Sequence, residues 1–107
     1  MNYNLNKMSV KIYLKRVRNS QCREGDNIEV DVQVQNLSDE YISEEVKLRD
    51  IRERVVDSKK VHVKPDSQLN FTMEWETSYG DEGSGEITIE TNDRSVSKEV
   101  FIDVGFW

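Results

Sequence analysis

Cysteine, histidine and proline each occur only once in this 107-residue chain. A lone cysteine, Cys22, cannot close a disulfide within the domain, which excludes the inter-strand bridge of antibody domains. Its remaining uses are a small hydrophobe in a loop or one half of a bridge between chains. One histidine beside one cysteine cannot supply a zinc set, and no Ser-His-Asp arrangement stands at a recognisable spacing. His62, between Val61 and Val63, is expected on the polar face of a strand. No run approaches the roughly 18 apolar residues of a membrane span. The opening "MNYNLNKMSV" lacks the charged and then apolar regions of a secretory leader, so membrane insertion and standard export are not expected. Basic residues are outnumbered 21 to 15, and the resulting charge of -6 repels phosphate backbones. The cluster Lys11, Lys15, Arg16 and Arg18 lacks the interleaved glycine and aromatics of an RNA-binding sheet, so no nucleic acid partner is expected.

What the chain does have is alternation. "NIEVDVQVQN" sends Ile28, Val30, Val32 and Val34 to one face and Glu29, Asp31, Gln33 and Gln35 to the other, the pattern of a half-buried antiparallel strand. "LNFTMEW" repeats it with Leu69, Phe71, Met73 and Trp75 inward, and "VFIDV" with Val100, Ile102 and Val104. Shorter alternating stretches are "VKIYLKRV", "EVKLRD", "KKVHV" and "EITIET". Turn-rich segments separate them at 23–27, 36–40, 64–67, 79–85 and 91–94. Residues 38–57 carry a competing helical spacing at Ile42, Val46 and Ile51, but β-branched content and the charged turn Arg52-Glu53-Arg54 favour a hairpin. The expectation is an all-β fold, a single immunoglobulin-like antiparallel sandwich of about seven strands. An arm over residues 1–8 would precede the sandwich at 9–104, and an aromatic tail would follow at 105–107.

The order of these signals resembles the CARDB family, cell-adhesion-related immunoglobulin-like modules of bacteria and archaea. The residues that carry the resemblance are Gly25-Asp26, Val30, Val32 and Val34 with Asn36, Pro65, Phe71, Trp75 and Gly85. The resemblance implies a binding or spacing module without catalysis. It also shows a departure, because "TNDRSVSKEV" carries Arg94 and Lys98 where the family often has an acidic, Asn-rich segment. A cation or adhesive role tied to that segment does not transfer.

No catalytic residue, cofactor or metal site is expected. "GDEGSGE" at 80–86 lacks the Lys-Ser/Thr ending of a phosphate loop, and its three carboxylates would repel phosphate, so it reads as a flexible loop. Two acidic groups, Asp39/Glu40/Glu44/Glu45 and Asp81/Glu82/Glu86, are either a solvated edge or a weak calcium site, with no Asp-x-Asp spacing to decide for calcium. No carboxylate pair is marked out for glycoside hydrolysis. The sequons at Asn36 and Asn70 would matter only after export.

Partner binding is therefore placed at the two ends. Tyr3 and Leu5 alternate with asparagines and could add a strand to a partner's sheet edge, while Phe106 and Trp107 could close the rim of their own sandwich or enter a pocket on another chain. A buried aromatic of that size contributes about 2–3 kcal/mol. The leading expectation is a protein-binding, structural subunit of a virion (a capsid decoration or tail protein) or of a surface assembly, present in the virion or in the cytoplasm where it is made. An adhesive or carbohydrate-binding module, using Tyr13, Tyr41 and Tyr79, is one alternative. An intracellular binder of a single protein is the other, and a cell-surface location applies only to an excised domain.

Overall fold

In the computed structural model, which describes residues 10–105, eight strands form two sheets that face each other. In chain order they are β1 (Val10–Arg18), β2 (Gln21–Arg23), β3 (Asn27–Asn36), β4 (Ile42–Arg49), β5 (Val55–Val63), β6 (Ser67–Glu76), β7 (Gly83–Glu90) and β8 (Ser95–Asp103). One sheet has the order β1-β3-β6 and the other β2-β8-β7-β4-β5. Pairing is antiparallel except where the short β2 runs parallel to the end of β8, with Cys22 opposite Ile102. The chain passes from the first sheet to the second between β1 and β2, where Asn19 takes a positive φ of 64° and its side chain donates to the Asn27 carbonyl at 2.8 Å.

The core follows from the alternation. Val30, Val32 and Val34 of β3 meet Met73 and Trp75 of β6 from one side and Val46, Leu48, Ile87, Ile89, Val100 and Ile102 of the other sheet, all buried. No part of residues 37–57 is helical: β4 and β5 form the hairpin that the charged turn suggested, with Glu53 at a φ of 64°.

Four expectations need correction. Cys22 lies on the short strand β2 rather than in a loop. Residues 83–85 belong to β7 and not to a flexible loop; Gly83 and Gly85 pair with Ile102 and Val100. Their lack of side chains has a packing reason, since a Cβ on Gly85 would lie 3.1 Å from that of Ile51, which fills the space. Val104 lies beyond β8 and is exposed, so it closes no core. Finally, Leu69 and Phe71 are core-facing in register, but on β6, the edge of a three-stranded sheet, Leu69 is exposed and Phe71 only partly covered.

Edge strands carry charge where the interior would take an apolar residue. Lys59 of β5 stands opposite Val46, and Lys98 of β8 opposite Ile87, both at core-facing register positions and both exposed. Such lysines keep an edge from pairing with another sheet. Lys59 adds a cation–π contact, its Nζ lying 5.7 Å from the Phe71 ring.

Candidate functional site

Antiparallel order places the loops in two groups. The upper group holds residues 37–41, 64–66 and 91–94; the lower holds 24–26, 50–54, 77–82 and the exit of the chain past β8. At the lower end the 50–54 turn is built around the buried Asp50, 1% exposed. Asp50 Oδ1 accepts from the backbone N–H groups of Arg52 (2.8 Å) and Arg54 (2.9 Å), and Oδ2 accepts from Arg54 Nε at 2.7 Å. Arg54 then reaches Asp81 Oδ1 at 2.7 Å, and Asp81 Oδ2 accepts from Ser78 N at 2.8 Å. Hydrogen bonds to Asp81 first, and then to Asp50, push the Arg54 pKa further above its ordinary value, so the bridge keeps its charge. Beside it, Arg52 donates to the Glu82 carbonyl at 2.7 Å.

Glu24 ties the other lower loops together. Its carboxylate accepts from Gly80 N (2.6 Å), Glu82 N (3.3 Å) and Gly105 N (3.0 Å). Thr77 completes the closure, donating to the Asp26 carbonyl and accepting from Gly25 N. Between the edges of β5 and β6 lies an open groove of about 470 Å³, floored by Trp75 and flanked by Val55, Asp57, Glu74, Arg54 and Asp81. Asp57 already caps the β6 edge there, accepting from Glu74 N at 2.9 Å. Around the groove Arg54, Asp57 and Asp81 are hydrogen-bonded within the protein, and Ser78 Oγ donates to Asp81 Oδ2 at 3.4 Å, a carboxylate already engaged by Arg54 and Ser78 N.

The upper end is organised by Asn36, which is fully buried. Its Nδ2 lies 2.7 Å from the Glu40 carbonyl, 3.1 Å from that of Val63 and 3.0 Å from that of Lys64, while Oδ1 accepts from Ser38 N and Ser38 Oγ. The Asn36 sequon is therefore a structural hub and not an accessible acceptor. Nearby, the half-buried Glu44 has its pKa raised above the ordinary 4.5, by burial first and then by Asp93, with Arg94 opposing. A carboxyl that holds its proton more tightly when folded loses stability as pH rises above its unfolded value. Glu44→Gln is accordingly expected to raise the thermal midpoint at pH 7, with the difference closing below about pH 4.5. Paired melting curves across that range check it, and a gain that grows toward acid would contradict it.

Of the residues expected to bind a partner, Tyr3, Leu5, Phe106 and Trp107 lie outside the described residues. Gly105, which precedes the last two, is described and is anchored by Glu24. The three tyrosines do not share a surface: Tyr13 lies on the outer face of β1, Tyr41 in an upper loop and Tyr79 in a lower one. His62 is exposed, as its alternation implies, and Cys22 is half-buried, with burial first and then Asp26 pushing its thiol pKa up. Asp50, Arg54, Glu24 and Asn36 were not singled out as site residues beforehand. Only the closeness of Asp50 to the Arg52-Glu53-Arg54 turn hinted at one of them.

Neither a protein-family model nor a curated protein matches the chain by sequence. Solved structures do match. A CARDB domain from Pyrococcus furiosus, solved in complex with di-metal ions, superposes with a TM-score of 0.69 at 17% identity, over 91% of this chain and 93% of that domain. The fold is that of a CARDB domain. A β-glucosidase from Listeria innocua contains a similar unit, with a TM-score of 0.68 at 17% identity over 91% of this chain; the chain spans 16% of that enzyme's length. The Pseudomonas fluorescens alkylpurine DNA glycosylase AlkC, bound to DNA, contains another, with a TM-score of 0.70 at 13% identity over 89% of this chain and 30% of that one. The CARDB domain is thus matched over nearly its whole length, and the two enzymes share the fold over a minor part of theirs.

Among the described residues no three or more His, Cys, Asp or Glu are grouped to hold an ion. Asp50 and Asp81, which share Arg54, also accept from backbone amides. The residues present do not fit a di-metal site.

Proposed function

We propose that this chain is a non-enzymatic, protein-binding structural module that serves as a subunit of a virion or of a surface assembly. The observation that supports it is the near end-to-end correspondence with a solved CARDB domain. The lower-end chemistry agrees, because its buried acids are hydrogen-bonded between loops and hold them together. On this reading the rigid sandwich positions the arm over residues 1–8 and the tail over 105–107, with Tyr3, Leu5, Phe106 and Trp107 as docking residues.

The test is the fate of the full chain in its native host. The chain should be recovered, after cross-linking, in purified particles or in the envelope fraction, at a copy number comparable to the major structural proteins. Recovery only in the soluble fraction, bound to one soluble protein, would overturn the assembly reading. The scattered placement of Tyr13, Tyr41 and Tyr79 gives no stacking platform for a glycan.

A further inference from the structure

β1 is an edge strand of one sheet and packs along one side of the sandwich against β8 of the other, which the short β2 flanks only over residues 101–103, with Arg23 opposite Asp103. Their outward residues form two strips of the same spacing and opposite charge. On β1 the order is Lys11, Tyr13, Lys15; on β8 it is Glu99, Phe101, Asp103. Each spans about 13 Å at the strand rise of roughly 3.3 Å per residue.

Both central aromatics are exposed, Tyr13 at 38% and Phe101 at 49%. A bulge at Lys15 leaves its ammonium on the same side as the Tyr13 ring, 5.9 Å from the centroid. Beside Lys11 and Tyr13 the outer face continues as the neutral amides Gln33, Gln35, Gln68 and Asn70, and its first carboxylate, Asp31, stands opposite Arg16. Beside Glu99 stands Glu86, directly opposite it across the β7–β8 pair. Like charges in that position destabilise a sheet. None of Lys11, Lys15, Glu86 or Glu99 has an ionic partner among the described residues.

We propose that the two strips meet between copies of this chain. The Glu99-Phe101-Asp103 strip of one copy takes the Lys11-Tyr13-Lys15 strip of the next, with the two aromatics in contact and each ammonium beside a carboxylate. The unfavourable Glu86–Glu99 pair is relieved by the incoming lysine. Because the strips lie on opposite faces of the sandwich, the contact is heterologous and does not close on a pair; it propagates as a stack. The inference deepens the assembly reading and rests on it, with a second copy of the chain as the partner.

Sedimentation velocity of the full chain over a concentration series tests it. In low salt the weight-average sedimentation coefficient should climb with concentration, and it should fall back to the monomer value in molar salt, where screening acts over about 3 Å. The charge reversals Glu99→Lys with Asp103→Lys, and separately Lys11→Glu with Lys15→Glu, should each weaken association at least about tenfold, because each leaves like charges facing. An equimolar mixture of the two variants should associate again, which also shows that both are folded. A chain that is monomeric at every concentration overturns the stacking, as does association that ignores both reversals. So does association lost on removing Phe106-Trp107 but kept in the reversed variants. A monomeric chain that still co-purifies with particles leaves the assembly reading standing, whereas a stack that co-purifies with nothing overturns that reading alone.

Discussion

Replacing Asn36 with Ala should lower the unfolding free energy by about 3 kcal/mol, since it strips buried backbone groups of their partners at a cost of roughly 1–3 kcal/mol each. The carbonyls of Glu40, Val63 and Lys64 lose their common donor, and Ser38 N and Oγ lose their acceptor. Asn36 ends β3 with its side chain on the inward side, at the position where the loops after β3 and β5 converge; Asp66 N donates to the Ser38 carbonyl across the same gap at 3.2 Å. Its amide therefore replaces the water those loops would otherwise need. Out of a total stability of about 5–15 kcal/mol for such a domain, the loss is large. Urea denaturation followed by tryptophan fluorescence checks it. A change below about 1 kcal/mol would mean that water takes over the hub.

Asp50→Ala should cost about 2–4 kcal/mol, because it removes a buried carboxylate that holds two backbone amides and an arginine. The upper end of the range for a broken buried pair does not apply, since the Arg54 side chain is 55% exposed and remains partly solvated and bound to Asp81. Asp50→Asn should recover part of the loss, as one carboxamide oxygen can still accept from Arg52 N and Arg54 N. Equilibrium denaturation of the three proteins checks the order: wild type most stable, then Asn, then Ala. Equal losses for Ala and Asn would show that the charge on Asp50, rather than its acceptor geometry, holds the turn.

The hydrophobic alternation made most of the fold legible, and it failed where inward positions are not apolar. β5 begins at Val55 and not at Lys59, because Asp57 and Lys59 occupy core-facing register on an edge. β8 likewise begins at Ser95, ahead of Lys98, and β7 begins on two glycines whose missing side chains admit Ile51. β2 has three residues and a single partly apolar one, Cys22, so it offers no period at all. The polar hubs were less legible still. Asn36 reads in the sequence as the end of a strand and as a sequon, and Glu24 as part of a turn. Their roles depend on bringing together residues separated by as many as 81 positions, as in the bond from Gly105 to Glu24. Pairing of that range has no local signature.

On the proposed reading the sandwich is a scaffold and the chain's ends capture its partner. Deleting Phe106-Trp107 tests it most directly, with partner capture from particle or envelope extract and the thermal midpoint measured on the same sample. Gly105, with its bond to Glu24, stays in the shortened chain, so the lower end keeps its closure. The account predicts that capture is lost while the midpoint is unchanged. Full capture by the shortened chain, or loss of the fold along with capture, would contradict it.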